Sequence, residues 1–122
     1  MGRTIALGSS INEFAASLTS QRKSGEYHHY VSMDTQVLGM VLQQTTGVTP
    51  AAYLEEKIWK KIGMQSDAKW LVDDFDMELV FGTLNVTLRD YARFGRLFLE
   101  QGKWSGQQVV PAGLQNIAEN LK

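Results

Sequence analysis

Apolar residues recur at helical spacing in four stretches of the chain. Ile11, Phe14, Ala15 and Leu18 share one face, and Ser10 with Glu13 makes a capping box ahead of them. A first helix is therefore expected to run to about Arg22, where Ser24 and Gly25 stop it. A second has Val37, Leu38, Val41 and Leu42 as its expected buried stripe, Asp34 or Ser32 as its cap, and Gly47 to take the left-handed conformation after its last turn. Thr49-Pro50 restarts the chain, because proline is tolerated at a first helical position. The third helix carries Tyr53, Leu54, Ile58 and Ile62 inward, ends before Gly63, and leaves Trp59 to cover a flank. Thr87 with Asp90 opens a fourth helix, in which Tyr91, Phe94, Leu97 and Phe98 share a face and Gly102 is the stop.

Between the third and fourth helices the periodicity is lost. Residues 65–84 read as a long irregular excursion, with short strands expected at 69–72 and 79–84. Lys103 to Val110 reads as a tight turn between two short strand arms, and Pro111 opens a final helix. The fold class is thus mainly α, with short strands or irregular loops at about 66–84 and 103–110. There is no internal repeat, low-complexity tract or linker.

Composition narrows the function. A length of 122 residues suits a single domain that buries about two thirds of its unfolded surface. Twelve basic and 13 acidic residues leave a formal net charge of -1, which gives no electrostatic case for nucleic acid or an anionic membrane. The absence of cysteine removes disulfides and thiolate chemistry. No apolar run approaches the roughly 18 residues of a spanning helix, and the start has too short an apolar core for a signal peptide. A cytoplasmic location is expected, or a periplasmic one if a signal segment was lost.

Tyr30-Val31-Ser32, set directly before a helix, resembles the second active-site motif of serine-active penicillin-recognising hydrolases. That superfamily includes class C β-lactamases, D-amino-acid peptidases, family VIII-like esterases and 6-aminohexanoate-dimer hydrolases. Tyr53 to Met64 resembles its helix ending in a Trp/Phe-x-Pro-Leu-Gly-Met turn, and Ser66 to Trp70 resembles the segment after that turn in the aminohexanoate-hydrolase branch. Gly82 to Gly95 is similar to the segment Gly-Gly-Leu-x-x-Thr-x-x-Asp-x-Ala-Arg-Phe-Gly. The resemblance spans roughly residues 11 to 113. Four positions depart from it: Lys61 stands for a usual proline and Thr83 for a second glycine, Asp76 lies near an expected glycine, and Leu114 lies near an expected tryptophan. The fold implied is the helical subdomain of the β-lactamase/transpeptidase-like α+β fold, closest to the 6-aminohexanoate-dimer hydrolases and related esterases.

The resemblance also implies a chemistry. A phenol, with an ordinary pKa of about 10, is ionised in about one molecule in a thousand at pH 7, so it acts as a base only beside positive charge. In the family a Ser-x-x-Lys motif supplies nucleophile and charge; Tyr30 would take the serine's proton, and Ser32 would hydrogen-bond the lysine or substrate. A literal Ser-x-x-Lys occurs at Ser20 to Lys23, but it falls in a polar helix end only a short connection from Tyr30, where a solvated terminus is the better reading. The third family motif, Lys-Thr-Gly or His-x-Gly, has no counterpart in the sequence. The expectation is a helical middle fragment of an amide or ester hydrolase, inactive alone, that acts in its parent on a small-molecule substrate without metal or organic cofactor. Trp70 and Asn85 are candidates for the substrate cleft. Cut from its parent, such a fragment is expected to self-associate through an exposed apolar face. The rival reading is a stand-alone helical interaction module whose exposed apolar face binds a partner chain or a second copy of itself.

Other features read as structural. Adjacent histidines at His28-His29 point to opposite sides of an extended segment, with no third to complete a metal set. Asp73, Asp74 and Asp76 lack the glycine and terminal glutamate of a calcium loop. Asn85-Val86-Thr87 is a formal glycosylation sequon, better explained by Thr87 as a cap. Arg89, Asp90 and Arg93 can pair one turn apart and pin a loop. The expected core draws on Phe14, Leu18, Leu38, Val41, Leu42, Leu54, Ile58, Phe94, Leu97 and Phe98.

Overall fold

A computed structural model describes Gly8, residues 10–21, Lys23, 25–26 and 29–113. The chain divides into two compact units, one running through Pro50 and including Trp70–Leu84, the other comprising Ala51–Lys69 and Asn85 onward.

In the first unit, α1 (Ile11–Ala16) starts where the capping box places it. Ser10 Oγ accepts from the backbone N–H of Asn12 at 3.2 Å and of Glu13 at 3.4 Å. The helix ends well short of the expected Arg22. Ser17 donates its hydroxyl to the Phe14 carbonyl at 2.7 Å, and the polar run beyond it has no apolar face to hold it, so Leu18 is exposed rather than core. The expected stop at Ser24 lies outside the described residues.

The second helix, α2 (Ser32–Thr46), corrects the expected cap and the expected face. Val31 is the N-cap and makes no side-chain cap bond, so Ser32 is the first helical residue and Asp34 lies in the first turn. Gly47 closes the helix at φ 73°, its N–H donating to the Gln43 carbonyl, as expected. The buried residues are Met33, Gln36 and Gly39, whereas Val37, Leu38 and Val41 are exposed, Leu38 at 68%. The helix faces the segment 78–80: Gln36 Nε2 donates to the Glu78 carbonyl at 2.9 Å and Gly39 abuts Val80. Ile11, Met33, Met77 and Leu79 form the core, with Phe14, Ala15, Met40 and Phe81 packed against it.

The excursion has less strand than expected. Its pairing is reduced to isolated bridges, Val72 with Glu78 in the first unit and Lys69 with Asn85 in the second. Asp73 competes with any ladder by taking the N–H groups of Phe75 and Met77, each at 2.9 Å, and the left-handed residues Asp76 and Thr83 turn the chain on either side.

The second unit opens within α3 (Pro50–Leu54), which continues as a π-helical turn, Glu55–Trp59. Ile62 is fully buried, Tyr53, Leu54 and Ile58 are half-buried, and Gly63 takes φ 66° where the helical run was expected to end. The Trp59 indole donates to the Ser66 carbonyl at 3.0 Å. The next helix, α4 (Leu88–Leu99), begins at Thr87, whose hydroxyl accepts the Asp90 N–H. Leu97 is buried, and the Phe94 and Phe98 rings meet edge to face at 5.0 Å, but Tyr91 is exposed rather than on the buried face. After Gly102, β1 (Lys103–Trp104) pairs antiparallel with β2 (Gln107–Gln108). Ser105 and Gly106 both take positive φ, the signature of a two-residue type I′ turn. The final helix expected after Pro111 falls largely outside the described residues, as does Leu114.

Candidate functional site

Tyr30 sits in the extended connection immediately before α2, with its side chain 68% exposed. Ser32, two residues on, is half-buried in the first turn. A tyrosine on extended backbone leading into a helix is held at one end by that helix, so its position depends on how α2 is docked. Trp70 lies in the same unit, half-buried, its indole donating to the Gly82 carbonyl at 3.1 Å. Asn85 belongs to the other unit, where its backbone bridges Lys69 and its side chain donates to the Lys69 carbonyl at 3.4 Å.

The literal tetrad falls elsewhere. Ser20 and Lys23 border an open groove of about 580 Å³ together with His29, Asp34, Leu18 and Val37. His29 and Val31 face this groove, and the intervening Tyr30 does not line it, as the alternation of an extended segment requires. His28 lies outside the described residues. Among those described, no three His, Asp or Glu side chains gather as a metal site would need.

Two carboxylates have a local electrostatic role. Asp73 is buried and accepts from the backbone N–H groups of Ile11, Phe75 and Met77, each at 2.9 Å. Burial pushes its carboxyl up, but the three N–H bonds outweigh this and hold it below the ordinary carboxylate range. Asp90 is fully buried and ties a loop to α4, accepting from the N–H groups of Gln65 at 2.9 Å and Ser66 at 3.0 Å, from the Thr87 hydroxyl at 2.9 Å and from Arg93 Nη1 at 2.9 Å. The Gln65 bond leads in lowering its pKa, opposed by burial and aided by Thr87, Ser66 and Arg93. Asp90 and Arg93 therefore pair and pin a loop. The acidic run 73–76 is an anchor for α1 through Asp73.

Sequence reasoning missed Gln36, the polar residue on the buried face of α2. Its signal was faint: Met33, Gln36 and Gly39 recur every third residue and end on a residue without a side chain, a second stripe beside the more apolar one.

No family model matches the chain. A 6-aminohexanoate-dimer hydrolase from Paenarthrobacter ureafaciens is 33% identical over 101 residues, covering 83% of this chain and 26% of that protein. A solved structure from Bacillus anthracis, described as a candidate 6-aminohexanoate-dimer hydrolase, superposes with a TM-score of 0.88 at 29% identity, covering 93% of this chain and 29% of the other. These likenesses set the chain in a class of hydrolases with a helical subdomain and short strands. Over the matched residues it belongs to the family of the 6-aminohexanoate-dimer hydrolases, and it spans about a quarter of the length of the relatives it matches. Among the described residues, no helix is long and apolar enough to cross a membrane.

Proposed function

We propose that this chain provides the tyrosine-bearing helical part of a hydrolase that cleaves amide or ester bonds by acyl transfer. The observation that carries the reading is Tyr30-x-Ser32 at the entry to α2, within a segment 33% identical to a 6-aminohexanoate-dimer hydrolase. In this reading a serine, activated by a lysine, attacks the substrate carbonyl, Tyr30 moves the proton between nucleophile and leaving group, and Ser32 hydrogen-bonds lysine or substrate. The substrate class is a small amide or ester, with a 6-aminohexanoate dimer favoured by the relative's name.

The nucleophile in this reading is not Ser20, because Tyr30 does not line the groove that Ser20 borders. The isolated chain therefore hydrolyses no ester, amide or β-lactam reporter. Intact-mass measurement and peptide mapping after treatment with a fluorophosphonate test this: an adduct on Ser20 overturns it. In a protein that includes this segment and a Ser-x-x-Lys motif, Tyr30→Phe lowers kcat by roughly 10²-fold or more with the fold retained. Unchanged turnover there makes Tyr30 structural.

A second reading, a stand-alone helical interaction module without catalysis, draws on the exposed Val37, Leu38 and Val41 of α2. Sedimentation and dye binding separate the two readings. A strictly monomeric, dye-silent chain with a high melting temperature counts against the fragment and for an independently evolved module.

A further inference from the structure

Two of the contacts that dock α2 are unusual. Gln36 is fully buried; its Nε2 donates to the Glu78 carbonyl at 2.9 Å, while its Oε1 is buried with no hydrogen-bond partner among the described residues. An amide taken from water with half its groups paired costs stability that a methionine of similar volume would not. What the amide adds is direction, since a hydrogen bond to one fixed carbonyl sets the rotation and height of the helix. One turn further along the same face, Gly39 lets the helix backbone approach Val80, and a Cβ there would collide with the Val80 side chain.

The receiving segment is tied by its own hydrogen bonds. Within it the Val80 N–H donates to the Glu78 carbonyl at 3.0 Å, and the Thr83 hydroxyl donates to the Leu79 carbonyl at 3.0 Å. Leu79 is buried, and its N–H donates to the Leu71 carbonyl at 3.0 Å, beside Trp70, whose indole is bonded to Gly82. One block, 78–83, therefore holds both α2 and Trp70, and all of these residues belong to one compact unit.

We propose that Gln36 and Gly39 are positioning residues: they register α2, and with it Tyr30 and Ser32, against the block that also holds Trp70. Only the catalytic consequence rests on the reading of Tyr30 as a proton-transfer group.

The test is side-chain NMR of the full chain carrying Gln36→Met or Gly39→Ala. Trp59 and Trp104 lie in the other unit and serve as internal references. In Gln36→Met the melting temperature is unchanged or higher, because a buried unpaired oxygen is gone. The Tyr30 ring and Trp70 indole signals nevertheless shift, and the Trp70 N–H exchanges faster, while the Trp59 and Trp104 indoles stay in place. Gly39→Ala moves the same two signals and lowers the melting temperature. The proposal is overturned if Tyr30 and Trp70 are unmoved in both variants, if all three indoles move alike, or if Gln36→Met does not fold, which would make the amide a stability group. In a hydrolytically competent protein bearing this segment, Gln36→Met lowers kcat by about tenfold or more with little change in KM. Shifted signals with no hydrolysis in any such protein leave the positioning role intact and remove the acyl-transfer reading.

Discussion

The helices α2 and α4, of 15 and 12 residues, begin in opposite ways and bury opposite kinds of face. Thr87 caps α4 with its hydroxyl, Asp90 completes the cap, and Leu97 is 1% exposed on the face the periodicity marked. By contrast, α2 starts at a valine without a side-chain cap, hides Gln36 and Gly39, and leaves Leu38 at 68% exposure. A cap is satisfied within four residues of chain, so it can be read locally. A buried face is chosen by whatever lies opposite, and the segment that covers α2 comes much later in the chain, 42 positions on from Gln36 in the case of Glu78.

The comparison is sharpest with one substitution made in both helices. Leu97→Ala is expected to cost about 2–5 kcal/mol in equilibrium unfolding, as for a buried leucine whose cavity only partly closes. A loss below about 1 kcal/mol would mean that α4 is not seated as described.

Acid should act through the two carboxylates. Both Asp73 and Asp90 have folded-state pKa values lowered from the ordinary range, so each contributes stability that is fully present above the unfolded value of about 4. That stability is lost as pH falls through the lowered folded values. Thermal unfolding followed from pH 6 down to pH 2 should show a falling melting temperature. Asp90→Asn should start lower at neutral pH and fall less steeply; an acid limb parallel to that of the parent chain would remove Asp90 from the account.

The caps give a smaller contrast. Thr87→Ala should cost about 1 kcal/mol, the usual loss for an N-cap hydroxyl. Ser32→Ala should stay within about 0.5 kcal/mol, because Ser32 is the first helical residue and not the cap of α2. Equal losses, measured by urea unfolding, would restore Ser32 as a capping residue.

The smallest effect belongs to Leu38→Ala, expected within about 0.5 kcal/mol of the parent because the side chain is already in solvent. A concentration-dependent loss would show that the exposed face of α2 is engaged in self-association.

How far the sequence could be read depends on the range of each interaction. Ser10, Thr87, Gly47, Gly63 and Gly102 mark ends that rest on hydrogen bonds and dihedral angles a few residues apart, and each stands where the pattern predicts. The hairpin at 103–108 and the loop-pinning pair Asp90 and Arg93 are legible for the same reason. Motif resemblance also carried the family and the place of Tyr30 before a helix, since those residues are close neighbours in the chain. What local order could not decide was which stripe of α2 is covered, where α1 stops, and how little strand the excursion forms. Those depend on Glu78 and Asp73 meeting Gln36 and Ile11, 42 and 62 positions away, and on Val80 meeting Gly39. Only tertiary structure brings such groups together, and their meeting settles which polar atoms are paired and which apolar ones stay in water.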